Sequence, residues 1–143
     1  MPMSEKDREL ISLLSENARL STAMLARKLN LSRTTVQARL ERLERDGVIT
    51  GYGVRLSDEF QRGIVRAHVM ITLAPKALTK VTPQLEAIRA VGQLHSVSGG
   101  FDLIAVVSAG SIQELDLIID RIGDIDGVER TQSSIILSTR IDR

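Results

Sequence analysis

Cysteine is absent from the 143 residues, which removes disulfides, thiolate metal sites and thiol nucleophiles. The absence also fits a reducing cytoplasm, the expected location. Aromatic side chains make up 2% of the chain. A base-stacking surface for single-stranded nucleic acid needs several aromatic faces, so that class is set aside. No apolar run approaches the roughly 18 to 20 residues of a membrane span, and no membrane partner is expected. The opening MetProMetSerGluLysAspArg has no apolar core behind its charges and is not read as a signal peptide. A strong net charge is lacking too. At a formal +1, any affinity for nucleic acid must come from basic residues gathered in one region.

What is present is 43% hydrophobic and 26% charged, the balance of a soluble globular protein. The length suits one domain or two small ones. The first third reads as helices. Ser4 can cap a helix with Asp7 three residues on, and Leu10, Ile11, Leu13 and Leu14 make its apolar stripe up to about Asn17. Ser21 caps a second helix with Leu25, Ala26 and Leu29 inward. Asn30 suits a left-handed helix end, Leu31 plugs the turn, and Ser32 caps a third helix that runs to about Asp46 before Gly47.

Residues 48–56 are β-prone with two glycines and predict a strand, and 57–63 a polar linker. Beyond them the order is strand, helix, strand, strand, helix, strand. Val65, Ala67, Val69, Ile71 and Leu73 alternate on one strand face. A helix is expected over 75–90 with Leu78, Val81, Leu85 and Ile88 inward, then a short strand at 94–98. Gly99 and Gly100 turn into an apolar, central strand at 102–108. Ser111 caps a helix with Ile112, Leu115, Ile119 and Ile122 inward, and a last strand runs from Val128 to about Thr139. The predicted fold class is α+β: an N-terminal (winged) helix-turn-helix domain over 1–50, a hinge strand and linker over 51–63, and a ferredoxin-like βαββαβ domain over 64–143. Both helices cover one face of its sheet, so the other face meets solvent or a partner.

Three short helices with a tight turn before the third form the DNA-reading helix-turn-helix arrangement. At about 100° per residue, Val36, Leu40 and Leu43 share the buried side of the third helix. The opposite face carries Thr34, Ala38, Glu41, Arg42 and Arg45, with Arg33 and Gln37 at one shoulder. Arginine can pair with guanine and glutamine with adenine, while alanine or threonine can touch the thymine methyl. The expected DNA-binding residues are Ser32, Arg33, Thr34, Thr35, Gln37, Ala38, Arg42 and Arg45, the last two mostly on phosphates. Arg39 lies beside the buried stripe and is expected to pair with an acid on the first helix, with Asp7 the candidate. Residues 27–45 hold six basic and two acidic side chains, a local net of +4, whereas 51–143 holds ten and eleven. The positive charge sits on the motif.

Residues 26–49, AlaArgLysLeuAsnLeuSerArgThrThrValGlnAlaArgLeuGluArgLeuGluArgAspGlyValIle, resemble the signature of the Lrp/AsnC (feast/famine) transcriptional regulators. Asp7, Leu10, Ile11, Leu14 and AsnAlaArgLeuSer at 17–21 are similar to that family's first helix and loop, and GlyGlyPheAsp at 99–102 to its Gly-x-x-Asp segment. One departure is Met3 and Ser4, where the family usually carries a Leu-Asp pair. The resemblance implies a homodimer joined through the C-terminal sheets, assembly to octamers, and a strand at 48–56 paired with its counterpart in the other subunit. It also implies an amino acid or related metabolite as effector, bound between dimers near the Gly-x-x-Asp loop.

The expected effector-binding residues are Ser98, Gly99, Gly100, Asp102, Gln132 and Ser134. Unscreened backbone N–H groups in the loop can hold a carboxylate, and Asp102 can hold an ammonium group. Equally, the glycines can simply turn the chain with Asp102 as cap, and Gln132 and Ser134 can face water. No cofactor and no metal site are expected, since His68 and His95 lie on different strands without a further ligand at suitable spacing. The chain is not expected to be an enzyme. Two alternatives stand beside the regulator: a sequence-tolerant architectural DNA-binding protein, and a tetrapyrrole decarboxylase-like enzyme resting on His95 and Arg66.

Overall fold

The computed structural model describes residues 3–143. Met1 and Pro2, the first residues of the expected DNA-binding domain and of the stretch read as no signal peptide, lie outside it. Two compact units run Met1–Leu56 and Ser57–Arg143, which divides the expected hinge and linker at 51–63 between them.

The first unit holds α1 (Glu5–Glu16), α2 (Thr22–Leu29) and α3 (Arg33–Arg45). Each starts where a serine satisfies an orphan helix N–H. Ser4, Ser21 and Ser32 accept from Asp7, Met24 and Thr35, and the side chain of Asp7 returns the bond to the Ser4 N–H. Asn30 ends α2 in the left-handed region at φ 56°, which turns the chain within two residues so that α3 can begin. Leu10, Leu25, Ala26, Leu29, Val36 and Leu43 form the core, with Leu31 and Leu40 packed against it. The caps, the turn and the buried stripe of α3 lie where the residue pattern put them. Residues 48–56 do not form the expected strand. Val48 and Ile49 donate to the Leu43 carbonyl, and from Thr50 to Leu56 no backbone–backbone hydrogen bond forms among the described residues. A strand needs a neighbour for its ladder, and no other part of this unit offers an edge.

The second unit holds β1 (Val65–Leu73), α4 (Leu78–Glu86), β2 (Val91–Ser96), β3 (Leu103–Ala109), α5 (Ile112–Gly123) and β4 (Val128–Ile136). The sheet order is β2-β3-β1-β4, with every neighbouring pair antiparallel, so β3 is central as expected. Ala67, Val69 and Ile71 face the helices and pack with Val81, Leu85, Leu115 and Ile122. The other face carries Arg66, His68, Met70 and Thr72, and its partners across the register include Ile104, Val106, Gln132 and Ser134. Gly127 shows why its turn needs glycine: φ is 105°, and a Cβ would meet Ala77 Cβ and Val81 Cγ2 at 2.9 Å each.

Several boundaries differ from expectation. The helix predicted over 75–90 is the shorter Leu78–Glu86. Lys76 at φ 64° keeps its start out of the helical region, and the helix runs on through Pro83 to Glu86. The strand at 94–98 is Val91–Ser96, extended backwards through a bulge that pairs Val91 with Val107. The last strand stops at Ile136, where its partner β1 begins. Leu78 and Ile112, expected inward, are 46% and 53% exposed, each standing at the first residue of its helix.

Val36 is 0% exposed beneath the outward face of α3. Val36→Ala is expected to lower the stability of the first unit by about 1–3 kcal/mol through lost burial and the cavity left behind. Tyr52 is the only tyrosine and there is no tryptophan, so urea unfolding followed by tyrosine fluorescence reports this unit alone. An unchanged midpoint would contradict the packing.

Candidate nucleic-acid interface

The outward face of α3 is held from below by Val36 and Leu43 and at its start by the Ser32 cap. Arg33, Thr34, Gln37, Ala38, Glu41 and Arg45 are exposed along it. Ser32 Oγ accepts the Thr35 N–H at 3.1 Å and lies 2.7 Å from Thr35 Oγ1, so both hydroxyls serve the helix start. Gln37 Nε2 donates to Glu41 Oε1 at 3.1 Å, an exposed i,i+4 bond that a base edge can replace. The Arg45 side chain is 72% exposed, and among the described residues its one ion pair is with Asp46, at 3.9 Å. Its charge is available to a phosphate.

Arg42 departs from expectation. Its Nη2 donates to both oxygens of Asp7 at 2.6 Å, and its side chain is 33% exposed. Arg39 Nη1 donates to Asp7 Oδ1 and Ser4 Oγ, each at 2.9 Å, the partner expected for it. The pairing has a geometric reason. Arg42 lies one turn beyond Arg39 and about 120° from Val36, close enough to the α1 side for a long arm to reach back. Asp7 itself is 1% exposed. Burial alone raises its pKa, but hydrogen bonds from Arg39 and Ser4 and the charge of Arg42 outweigh it, and the carboxyl titrates below its usual 3.8.

The segment after α3 is fastened by side chains. Tyr52 Oη donates to Glu44 at 2.7 Å, and Arg55 Nη2 donates to the Glu16 carbonyl at 3.0 Å. The Glu44 bond, burial and the Glu44 charge together push the Tyr52 hydroxyl up to about 12. These contacts hold a half-open pocket of about 500 Å³ against Ile11 and Leu14 of α1. The residue pattern offered no sign of either tether.

In the second unit Ser98, Gly99 and Gly100 form an exposed bend, with Gly99 at φ 110°. Asp102 Oδ2 accepts the Leu73 N–H at 2.8 Å and the Asp102 N–H donates to the Ile71 carbonyl at 2.9 Å, so Asp102 closes the end of β1. Asp102 also borders a pocket of about 350 Å³ lined by Leu73 to Leu78 and Ser96. Gln132 and Ser134 do not line it. They oppose Met70 and His68 across β1 and stand on the helix-free face of the sheet, because strand parity sends alternate residues of β4 there. Lys76, in its left-handed conformation, lines the pocket and was not singled out from sequence.

His95 opposes Ile104, whose β1 partner is Met70, while Arg66 opposes Ser108. The two are thus offset by four residues, about 13 Å along the strands, and do not converge on one substrate atom. Among the described residues no group of three or more His, Asp or Glu side chains could hold a metal ion.

The family model described as winged helix-turn-helix DNA-binding matches residues 3–50, and the model described as Lrp/AsnC ligand binding domain matches 66–143. The chain is 34% identical over 138 residues to the HTH-type transcriptional regulator LrpA of Mycobacterium tuberculosis, covering 96% of this chain and 91% of that one. It is 32% identical over 140 residues to an uncharacterized HTH-type transcriptional regulator of Pyrococcus abyssi, covering 96% and 88%. Among solved structures, AsnC of E. coli superposes with a TM-score of 0.88 at 27% identity, covering 100% of this chain and 97% of that one. A feast or famine regulatory protein of M. tuberculosis, complexed with L-methionine, gives 0.89 at 33% identity, covering 99% and 96%.

The lowered pKa of Asp7 sets the sign of an acid effect. A depressed carboxylate stabilises the fold fully above its unfolded value of 3.8, and the contribution fades as pH falls from there through the folded value. Between pH 4 and pH 2, wild-type stability is therefore expected to fall more steeply than that of Asp7→Asn, in urea titrations read by Tyr52 fluorescence. Parallel curves for the two proteins would remove the proposed pairing.

Proposed function

We propose, since this chain belongs to the Lrp/AsnC family of transcriptional regulators, that it binds double-stranded DNA sequence-specifically through α3 and alters that binding when an amino acid occupies its second unit. The observation that carries the reading is the outward face of α3: Arg33, Thr34, Gln37, Ala38 and Arg45 exposed together on a helix whose opposite side is fully packed. A rigid helix bearing those groups suits the major groove, with the earlier residues on base edges and Arg45 on a phosphate. In a homodimer two such helices enter successive major grooves about one helical turn apart, on a pseudo-palindromic site.

The effector reading rests on Ser98, Gly99, Gly100 and Asp102. One Asp102 oxygen is spent on the Leu73 N–H, and the other is free to take an ammonium group. The loop N–H groups suit the carboxylate. That a relative was solved with L-methionine supports an amino acid as the class of ligand. The helix-free sheet face, with half-buried Met70, Ile104 and Val106 on it and Ile136 at its end, supports assembly of dimers through the sheets and of dimers into octamers. Action on a prokaryotic chromosome puts the protein in the cytoplasm. An effector then shifts DNA affinity only by its differential affinity for the assembled states.

The deciding experiment compares binding to DNA from upstream of the protein's own gene with binding to scrambled DNA of equal length, with and without the twenty amino acids. A preference of about 10³-fold or more for the native DNA, changed by the mixture, is expected. Equal affinity for both DNAs would instead mark an architectural protein. Thr34→Ala or Gln37→Ala is expected to relax base preference, whereas Arg45→Ala should weaken all sequences alike and flatten the salt dependence by about 0.9 in slope. A Gly99→Val plus Asp102→Asn protein should keep its DNA preference and lose the amino-acid response. Retention of the response would exclude this loop as the site.

A further inference from the structure

α3 carries four arginines, and the structure divides them in two. Arg33 and Arg45 extend into solvent from the exposed face. Arg39 and Arg42 bend back onto Asp7, with side chains 26% and 33% exposed. Two guanidinium groups on one carboxylate leave one positive charge uncompensated within the cluster. Among the described residues both Nε atoms are buried without a hydrogen-bond partner, so neither arginine has used all its donors there. Such a pair lies on the helix read as DNA-facing, is cationic, and is restrained by Asp7, with Ser4 Oγ a further acceptor for Arg39.

We propose that Asp7 is a positioning residue for DNA reading: it holds Arg39 and Arg42 away from the phosphate backbone and ties the register of α3 to α1. The inference rests on α3 being the DNA-reading helix. Phosphate contacts strengthen binding to every sequence, and base contacts need the helix in one register. An arginine on a free, flexible arm finds a phosphate in any register. A tethered arginine does not, and its tether fixes the helix that must place Thr34 and Gln37 on base edges. Asp7 thereby acts on both sides of the discrimination, restraining sequence-independent affinity and preserving the sequence-dependent part.

The test measures affinity for native and scrambled DNA as a function of salt. Asp7→Asn is expected to steepen the slope on scrambled DNA by about one to two units, at about 0.9 per phosphate gained. Each such contact makes the loss of affinity between 50 and 200 mM salt about threefold to fourfold larger. The preference for native DNA should fall by about tenfold. A destabilised fold would weaken binding but would not steepen its salt dependence. Adding Arg39→Gln and Arg42→Gln to Asp7→Asn should return the slope to the wild-type value.

Arg42→Gln alone keeps Asp7 paired with Arg39 and decides the matter even if Asp7→Asn does not fold. Its slope is expected to equal that of wild type. A slope flatter by about 0.9 would put Arg42 on a phosphate and overturn the proposal. An Asp7→Asn protein that is folded and has the wild-type slope would do the same. Wild-type protein without sequence preference would overturn the DNA-reading assignment itself, a result separate from either of these.

Discussion

One buried carboxylate joins the first helix to the third. Asp7 caps α1 through Ser4, accepts from Arg39 and Arg42 of α3, and is 1% exposed. A buried ion pair is weak evidence of net stability, because desolvation consumes much of the Coulomb gain. It is stronger evidence of orientation. A charge in that position demands partners in one geometry, and it adds a second constraint on the rotation of α3 to the one that the buried stripe of Val36 and Leu43 supplies. The outward direction of Thr34, Gln37 and Arg45 follows from that rotation. Lys6 adds a second tie, donating to the Leu29 carbonyl at the end of α2 at 2.9 Å.

The second unit is organised by strand alternation. Ala67, Val69 and Ile71 on β1 bury against α4 and α5, and the same alternation sends Arg66, His68 and Met70 to the other face. Three consequences follow from this one geometric rule. The core closes with helices on one side only. The helix-free face mixes apolar and polar groups. Gln132 and Ser134 share that face with His68 and Met70 and are kept out of the pocket beside Asp102. Asp102 belongs instead to the strand ends, where its backbone and side chain both bond to β1.

Much of the fold was legible in particular residues. Ser4, Ser21, Ser32 and Ser111 mark helix starts because a hydroxyl at that place satisfies an orphan N–H. Asn30 and Gly47 mark helix ends because each tolerates the left-handed region, at φ 56° and 74°. The exposed residues of α3 were legible from the helix period, which places them opposite Val36 and Leu43. The pocket side was less legible. Lys76 takes part in it through a backbone conformation that nothing in its chain neighbours announces.

The sequence by itself determined the order of the elements, their caps, the buried stripes and the local excess of positive charge on α3. All of these depend on interactions within about four residues along the chain, or on a period that repeats inside one element. Tertiary structure decided the rest. Arg42 turned to Asp7, 35 residues away, because a long cationic arm takes the nearest buried carboxylate in space, and its angular position on the helix only limits the choice. Within the chain itself residues 48–56 form no strand, because strand formation depends on a partner edge and the first unit offers them none. Gln132 and Ser134 parted from Asp102 because a register between β1 and β4 settled which face they share. For Arg42 and for Gln132 and Ser134 the deciding contact lies between residues far apart in the chain, where local pattern carries no information.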